Sequence, residues 1–223
     1  MRLAILSDAH GNKPFFEKII ADIDGEMIDK IIYLGDAFGY MTAGEYIYKA
    51  LKLRNAIVLK GNHEAMLVGE LPIEDEKDKI YKLKKQKDEV DRYILNELKS
   101  LRSELTLQMA GNFFSFMHGA PFDTLNGYLY EDNAEYNWEN TDHDFIFMGH
   151  THRMYMKKTG KTTYVNVGSC GLPRDKGLNP GYCVFDTEKL QLQLKRIKMN
   201  AAVLNDEFFL DVDKKVRNVF LRR

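Results

Sequence analysis

The amino-acid sequence predicts an α+β protein in which two β-sheets pack face to face and helices cover their outer surfaces. Two observations lead to this prediction. In residues 3–61, short apolar runs alternate with helical apolar patterns, as in parallel strands joined by helical crossovers. In residues 105–194, apolar runs follow one another across short polar turns, which indicates hairpins. With 44% apolar residues, the 223-residue chain can fill the core that such a fold needs.

The first part of the chain contains three predicted strands and two predicted helices. Residues 3–6 form an apolar run typical of a buried strand, and the apolar residues of 15–23 then recur at helical spacing. A strand at 31–34, a helix at 43–53 and a strand at 57–59 complete this part. The order strand–helix–strand–helix–strand predicts parallel pairing, so the first part is interpreted as a parallel half.

The second part is interpreted as an antiparallel half. Its predicted strands lie at 105–109, 113–117, 145–148, 153–157, 162–167, 182–185 and 190–194. The turn Ala110-Gly111-Asn112 joins the first two of these strands. An amphipathic helix is expected to close the chain, and its apolar residues are Phe208, Phe209, Val212, Val216, Val219 and Phe220.

A densely charged segment at about residues 72–104 separates the two parts. Its apolar residues recur at roughly helical spacing, which predicts one or two solvated helices with one face on the core. The alternative is a cap that leans over an active site. The chain has no linker rich in proline, glycine or serine. We therefore expect residues 1–223 to form a single domain that carries this segment as an insertion.

Composition excludes several classes of function. The net charge of −1 provides no overall basic field, so specific nucleic-acid binding is not expected. No apolar run approaches the roughly 18 to 20 residues that cross a membrane. Cys170 and Cys183 are too few for a disulfide framework. Because the first residues do not resemble an export signal, we expect reduced thiols and a cytoplasmic location.

Polar side chains follow five of the predicted strands at their carboxyl ends. The five stretches are Ser7-Asp8-Ala9-His10-Gly11-Asn12, Gly35-Asp36, Gly61-Asn62-His63-Glu64, His118-Gly119 and Gly149-His150-Thr151-His152. Because ligand sites in α/β sheets lie outside the carboxyl ends of strands, these stretches can meet at one edge. Any one of them alone has an ordinary explanation as a turn or a helix start. His143 is the remaining histidine, and we expect it at the surface or behind the site.

The side-chain types in these stretches indicate a metal site. Imidazole, carboxylate and amide oxygen are ligands for Mn²⁺, Fe²⁺, Zn²⁺ and Mg²⁺. Together they exceed what one ion can bind, so the pattern suits two ions with open positions for water and substrate. A carboxylate is the natural bridge between two ions because it has two oxygens to share.

In their order and over residues 8–152, the five stretches resemble the motif blocks of the calcineurin-like metallophosphoesterase superfamily. The turn Asn166-Val167-Gly168-Ser169 is similar to one in the small prokaryotic, phosphodiesterase-like branch of that superfamily. The resemblance implies a four-layer αββα sandwich of two mixed sheets with a binuclear site on one edge. It implies one metal held by Asp8, His10 and His152, a second held by Asn62, His118 and His150, and Asp36 as the bridge.

The resemblance also implies roles for His63 and for the metals. His63 would stand beside the leaving-group oxygen rather than bind metal, and Asp36 would orient it. The hypothesis is that a hydroxide bridging the ions attacks phosphorus in line while His63 assists departure. Manganese is the expected metal, with iron, zinc, nickel or magnesium as alternatives.

The resemblance further implies a small phosphorylated substrate, either a phosphodiester or a nucleotide. Relatives that act on phosphoproteins usually carry an arginine after the second block, where this chain has Gly35-Asp36-Ala37-Phe38-Gly39-Tyr40. That departure counts against a protein phosphatase. A phosphomonoesterase, a dinucleoside polyphosphate hydrolase and a non-catalytic scaffold of the same fold are the alternatives.

Two further residues are candidates for contact with the substrate. Arg174 can bind phosphate through its planar guanidinium, and the alternative is a surface ion pair with Asp175. Asn12 can meet the substrate, and the alternative is a structural role in its turn. Tyr40 is expected to pack in the core, and Cys170 is expected to be a small buried residue rather than a nucleophile.

Overall fold

The computed structural model describes residues 1–109, 111–139, 141–205 and 208–222. The strands in these residues are β1 (Arg2–Leu6), β2 (Lys30–Tyr33), β3 (Ile57–Val58), β4 (Glu104–Met109), β5 (Asn112–Met117), β6 (Phe145–Met148), β7 (Met154–Thr159), β8 (Thr162–Val167), β9 (Gly181–Asp186) and β10 (Gln191–Arg196). The α-helices are α1 (Lys13–Asp24), α2 (Gly44–Leu53), α3 (Asn62–Leu67), α4 (Asp75–Tyr81), α5 (Leu83–Glu89), α6 (Arg92–Ser100) and α7 (Lys214–Arg217). Ala201–Val203 form a 3₁₀ turn.

The strands form two five-stranded mixed sheets, with orders β10-β9-β1-β2-β3 and β4-β5-β6-β8-β7. In the first sheet, alternate residues of β1 serve different layers. Ala4 and Leu6 pack toward the helices, whereas Leu3 and Ile5 pack toward the second sheet. Because both faces are buried, the strand is a continuous apolar run in the sequence.

The core between the sheets is rich in aromatic rings from the second sheet. The rings of Phe116 and Phe147 stack with centroids 5.0 Å apart, and Phe147 lies 5.3 Å from Phe185 of the first sheet. The predicted arrangement of two mixed sheets packed face to face and flanked by helices is confirmed. On the second sheet, Leu129 and Trp138 from the connection between β5 and β6 pack against Ile146 and Tyr164.

The prediction that the chain divides into a parallel half and an antiparallel half is wrong. The C-terminal hairpin β9–β10 joins the first sheet, where β9 runs antiparallel to β1. In the second sheet, β5, β6 and β8 are parallel. A single strand pattern carries no information about its neighbours, and long connections allow parallel pairing without a regular helix between strands.

The prediction of a single helix that closes the chain is also wrong. In the described residues of this region the only α-helix is the short α7 (Lys214–Arg217), whose N-cap residue Asp213 accepts a hydrogen bond from the Lys215 N–H at 2.7 Å. The apolar residues still pack as the pattern requires, with Phe220 against Phe15 at 5.5 Å. Ala110 of the predicted β4–β5 turn lies outside the described residues, although the two strands pair as a hairpin.

The charged insertion forms three short helices, α4, α5 and α6. Leu83, Ile94 and Leu98 are buried in the core beside the first sheet, so these helices have one face on the core. The junction between α4 and α5 is Lys82, whose left-handed φ of 58° lets the chain turn there. Within the described residues, no helix combines the length and the apolar character needed to cross a membrane.

Candidate metal centre

The five predicted stretches meet at one edge of the sandwich, where β1, β2, β5 and β6 end and α3 begins. Backbone hydrogen bonds join the stretches: the Asp8 N–H donates to Gly35 O at 3.0 Å, and the Gly149 N–H donates to His118 O at 2.9 Å. The turn that begins at Asn166 supports the same loops, since its side-chain amide donates to Gly149 O at 2.7 Å.

The backbone at the predicted ligands is held in an uncommon conformation. The affected residues, all with φ between 47° and 63°, are Asp8, His10, Asp36, His150 and His152. Left-handed geometry costs a residue other than glycine on the order of 1–3 kcal/mol and concentrates at functional sites. Glycine is needed at position 149 for lack of space, because a Cβ there would lie 2.3 Å from Ser7 Oγ.

The first predicted ligand set forms a tight cluster. His152 Nε2 lies 3.1 Å from His10 Nε2 and 3.3 Å from Asp8 Oδ1. Atoms bound at right angles to one ion at about 2.1 Å lie about 3.0 Å apart, so these separations suit a shared cation. All three side chains are almost fully buried.

The second predicted set forms a matching cluster beside the first. His118 Nε2 lies 3.0 Å from His150 Nδ1 and 3.0 Å from Asn62 Oδ1. Asn62 and His63 are the first two residues of α3, so the start of this helix lies at the site.

Asp36 lies between the two clusters. We expected both of its carboxylate oxygens to be shared between the ions, and the observed arrangement differs. Its Oδ2 atom is 3.7 Å from His10 Nε2 and 3.4 Å from His118 Nε2. Its Oδ1 atom instead accepts a hydrogen bond from the His63 N–H at 2.9 Å. A single oxygen therefore faces both clusters, while the other fixes the start of α3.

The hydrogen bonds on the far sides of the rings determine which nitrogens face the centre with lone pairs. The Nδ1 atoms of His10, His118 and His152 lie 2.9, 3.1 and 2.7 Å from the carbonyl oxygens of Phe38, Leu34 and Leu172. Because a carbonyl only accepts, each of these Nδ1 atoms carries the proton in the neutral ring. The Nε2 atoms then present lone pairs to each other and to carboxylate and amide oxygens.

Such a group of electron-pair donors is suited to hold a cation. The Asp8 Oδ1 atom is buried without a hydrogen-bond partner, as expected for an oxygen that faces a metal position. Two triads of ligand atoms, Asp8–His10–His152 and Asp36–His118–His150, each lie within 4.8 Å of one another. The donor set therefore fits two divalent ions.

The charges of the centre lead to the same conclusion. Burial lowers the pKa of His10 and His152 well below the usual value and that of His150 to about 3, so these rings are neutral ligands. Burial also acts to lower the pKa of His118, but the surrounding carboxylates, chiefly Asp36, outweigh it and raise the pKa to about 9. Positive charge is favourable at this position, and a metal ion can supply it in place of the proton.

His63 is buried against the first cluster. Its Nε2 atom is 3.9 Å from Asp36 Oδ2, and its ring packs on those of His10 and Tyr40 at 4.7 and 5.3 Å. Burial lowers its pKa, while Asp36 acts in the opposite direction. Gly39 makes room for the ring, since a Cβ there would lie 2.0 Å from His63 Nδ1. His63, His10 and Asp36 are also close enough to share an ion, within 4.8 Å.

Arg174 lies over the centre rather than on the outer surface. Its guanidinium donates to Tyr40 Oη at 3.2 Å, and its charge acts to lower the pKa of Tyr128 and of the nearby histidines. The alternative ion pair with Asp175 is wrong, because Asp175 pairs with Arg196. A guanidinium held by a neutral phenol keeps its charge available for an anion.

The other predicted residues occupy simpler positions. Asn12 uses both polar atoms of its side chain, accepting from the Phe15 N–H at 3.2 Å and donating to Gly171 O at 2.6 Å, which matches the structural alternative. His143 lies near Thr141, at the end of β6 away from the centre. Cys170 is fully buried, and burial raises the pKa of its thiol well above the usual value.

Several residues that shape the site were missed at the level of sequence. Glu64 accepts hydrogen bonds from the N–H groups of Asp36, Ala37 and Gly61 at 2.7, 2.8 and 2.9 Å, and thereby fixes the loop that carries Asp36. A glutamate three residues after the N-cap residue can accept the N-cap N–H, as Glu64 does from Gly61, and this spacing could have identified it. Tyr81 of the insertion and Tyr128 reach the centre by tertiary packing, and no local pattern marks them.

The fold and the paired ligand clusters together define a metallophosphoesterase. The family model for the calcineurin-like phosphoesterase superfamily domain matches residues 1–190. The chain therefore belongs to this superfamily, whose members use divalent metals and act on phosphoester bonds. The family resemblance read from the five sequence stretches is confirmed.

Individual relatives extend over nearly the whole chain. The uncharacterized protein MJ0912 of Methanocaldococcus jannaschii is 25% identical over 216 residues, covering 88% of this chain and 87% of that protein. A metallophosphoesterase from Sphaerobacter thermophilus is similar in structure, with a TM-score of 0.80, 20% identity and coverage of 99% and 98% of the two chains. The hypothetical protein PH1004 of Pyrococcus horikoshii OT3 has a TM-score of 0.85 at 17% identity, covering 98% of this chain and 97% of that one.

Proposed function

We propose that this protein is a phosphoesterase that hydrolyses a small phosphodiester or nucleotide-type substrate at a centre of two divalent metal ions. The observation that carries the proposal is the convergence of lone pairs from two adjacent clusters, with Asp36 Oδ2 within 3.7 Å of ring nitrogens in both. Asp8, His10 and His152 would hold one ion, Asn62, His118 and His150 the other, and Asp36 both. When bound, such a pair of ions binds phosphate oxygens and lowers the pKa of a water between them.

The protein's own side chains supply the remaining steps. In its protonated form, which the adjacent Asp36 carboxylate stabilises against burial, His63 donates a proton to the leaving-group oxygen as the bond to phosphorus breaks. Arg174 binds a non-bridging phosphate oxygen and orients the substrate, a role that suits its position among the histidines. The Asp36 carboxylate keeps His63 in place through the His63 N–H. Burial of these groups excludes bulk water and strengthens their electrostatic interactions.

A phosphodiester is the favoured substrate class because few cations besides the metals reach the phosphate. A monoester dianion needs more positive charge than a diester monoanion, and the loop after Asp36 offers Tyr40 instead of an arginine. The retained ligand positions count against a scaffold that has lost catalysis. We further propose manganese as the metal. We also propose the cytoplasm as the location, since Cys170 and Cys183 are both free and buried.

The insertion is proposed to act as a cap at the centre. The Tyr81 carbonyl accepts the Tyr40 N–H at 2.7 Å, and the Tyr81 ring lies 4.7 Å from that of His63. Gln86 Oε1 accepts the Gly39 N–H at 3.0 Å. Two helices of the insertion are thus attached to the loop that borders His63, which favours the cap over a purely solvated helix pair.

Metal analysis combined with a hydrolysis panel tests the proposed function. The purified protein is loaded separately with Mn²⁺, Fe²⁺, Zn²⁺, Ni²⁺ or Mg²⁺. It is then assayed with bis(4-nitrophenyl) phosphate, 4-nitrophenyl phosphate, cyclic nucleotides and dinucleoside polyphosphates. We expect about two ions per chain and the highest kcat/KM on a diester with Mn²⁺. A preference for the monoester above about tenfold, equivalent to about 1.4 kcal/mol, would overturn the diester assignment.

A further inference from the structure

Two exposed tyrosines extend outward from the metal centre. Tyr128 and Tyr130 flank Leu129, which is buried and whose carbonyl accepts the Tyr155 hydroxyl at 2.7 Å. Both tyrosines are exposed and their rings are in contact, whereas Leu129 between them is buried. Their rings are nearly parallel, at 14°, with centroids 6.2 Å apart. We call this pair the tyrosine shelf.

The inner end of the shelf belongs to the centre. The Tyr128 ring lies 3.9 Å from the ring of His150, and the charge of the Arg174 guanidinium acts on the Tyr128 hydroxyl. Tyr128 therefore contacts a proposed metal ligand and lies within electrostatic range of the proposed phosphate contact. A phosphate bound at the centre would place its substituent beside this ring.

The outer end of the shelf is open to solvent. Tyr128 and Tyr130 are 42% and 38% exposed, although both are aromatic and their backbone is anchored. Exposed parallel rings on a fixed backbone provide a surface for a planar group at little conformational cost. Leaving them in water is unfavourable, and a stacked ligand would remove that apolar area from water.

We infer that the tyrosine shelf binds the nucleobase of a nucleotide-type substrate whose phosphate lies at the metal centre. The inference rests on the proposed function and names the group that the phosphoester carries. The occupant has to be planar and has to be linked to a phosphate, and a nucleobase meets both conditions because one sugar joins it to the phosphate. A partner protein fits less well, because the inner ring of the shelf is committed to His150 and Arg174.

The variant Tyr130→Ala tests the shelf without removing Tyr128 from Arg174. Dissociation constants of AMP and of methyl phosphate are measured by calorimetry on the Mn²⁺-loaded protein, and their ratio cancels any general damage to the phosphate site. We expect the preference for AMP to fall at least fivefold, about 1 kcal/mol, in Tyr130→Ala. Tyr130→Phe retains the ring and should retain the preference.

The matched control is Phe113→Ala, which removes an aromatic residue with 42% exposure at the other end of β5. It should keep the wild-type preference. The inference is overturned if wild-type protein binds AMP no more tightly than methyl phosphate, or if Tyr130→Ala and Phe113→Ala have the same preference as wild type.

A hydrolysis measurement separates failure of the shelf from failure of the proposed function. The 4-nitrophenyl ester of thymidine 5′-monophosphate and methyl 4-nitrophenyl phosphate share a leaving group and differ in the nucleoside. Hydrolysis of both with a kcat/KM ratio that does not depend on Tyr130 would refute the shelf and leave the phosphodiesterase standing. Binding of AMP that depends on Tyr130, without hydrolysis of either ester, would support the shelf and refute the proposed function.

Discussion

Each of three histidines in the centre uses one ring nitrogen to bond a backbone carbonyl and turns the other toward the ligand cluster. The carbonyls of Phe38, Leu34 and Leu172 thereby set the tautomers of His10, His118 and His152. These acceptors come from loops distant in sequence from the rings that they orient. At the scale of single residues, the protonation state of the centre is therefore set by tertiary hydrogen bonds.

His63 provides the first prediction at this scale. Because it is proposed to protonate the leaving group, His63→Ala should lower kcat by about 10²- to 10⁴-fold and leave the metal content unchanged. The loss should be smaller for a 4-nitrophenolate leaving group, which needs little protonation. Metal analysis and steady-state kinetics test this, with His143→Ala as the control. Unchanged activity would refute the role of His63, and loss of one ion per chain would make it a ligand.

Arg174 provides the second prediction. Removing a charged hydrogen bond to phosphate in Arg174→Ala should lower kcat/KM by about 10- to 100-fold, whereas Arg174→Lys should recover part of the loss because it keeps only the charge. The exposed Arg92 on α6 supplies the control variant Arg92→Ala. Equal kcat/KM values in Arg174→Ala and Arg92→Ala would exclude phosphate contact by Arg174.

At the scale of elements, the centre depends on how loops are tied to one another. Glu64, in the first turn of α3, binds the backbone of the β2 loop through Asp36 and Ala37. The insertion binds the continuation of that loop through Tyr81 and Gln86. One stretch of backbone is therefore held from two sides, by a helix of the sandwich and by the insertion. This explains how a loop that contains left-handed residues keeps a defined shape.

The carboxylate of Glu64 allows a third prediction. Burial is the main influence that raises its pKa to about 7, followed by the charge of Asp36, while the N–H groups that it accepts from act in the opposite direction. In Glu64→Gln, one oxygen is replaced by an amide donor that faces backbone donors. We expect the free energy of unfolding to fall by about 1–3 kcal/mol. Urea denaturation measures this, and Glu76→Gln, at an 83% exposed side chain, should have little effect. Equal stability of the two variants would contradict the role of Glu64.

Tyr81 gives the fourth prediction, which tests the insertion as a cap. Its ring restrains His63, so Tyr81→Ala should lower kcat by about tenfold through misplacement of that side chain. If His63 is the group affected, the loss should be greater for poor leaving groups than for 4-nitrophenolate. Tyr93, 67% exposed on α6, offers the matched variant Tyr93→Ala. Similar kinetics for both variants would leave the insertion without a part in catalysis.

At the scale of the whole molecule, the two sheets converge on a centre that gathers negative and lone-pair groups in a buried place. Without a cation, the negative charges and lone pairs of these groups repel one another in the folded protein. Bound ions remove that repulsion. The centre therefore links metal binding to the stability of the complete fold.

Thermal unfolding provides the fifth prediction. Ions that bind only the folded chain at about 100 times their Kd should add about 2.7 kcal/mol per site, which raises Tm by about 5–10 °C per site and by about 10–20 °C for two sites in a chain of this size. Chelation should reverse the rise. Asp36→Ala removes the oxygen shared by both clusters and should abolish most of the rise, whereas Asp24→Ala, far from the centre on α1, should not. The same rise in both variants would place the metals elsewhere.

Much of the fold was predictable because apolar periodicity reports burial directly. The strands of residues 3–6, 145–148 and 162–167 were placed within one residue of β1, β6 and β8. The closing helix failed because apolar spacing alone does not distinguish a helix from a series of turns that bury the same face. The pairing of β9 with β1 was not visible, since pairing joins segments about 180 residues apart.

The sequence by itself determined the residue types of the centre and their place at strand ends, because each stretch combines metal-binding side chains with glycine in a short local pattern. Only the tertiary structure decided that Asp36 presents one oxygen to both clusters, that Arg174 faces the centre, and that tyrosines from the insertion and from residues 128–130 surround it. These features depend on contacts between loops far apart in the chain. A local pattern specifies what a loop carries, whereas packing of the whole molecule specifies what that loop meets.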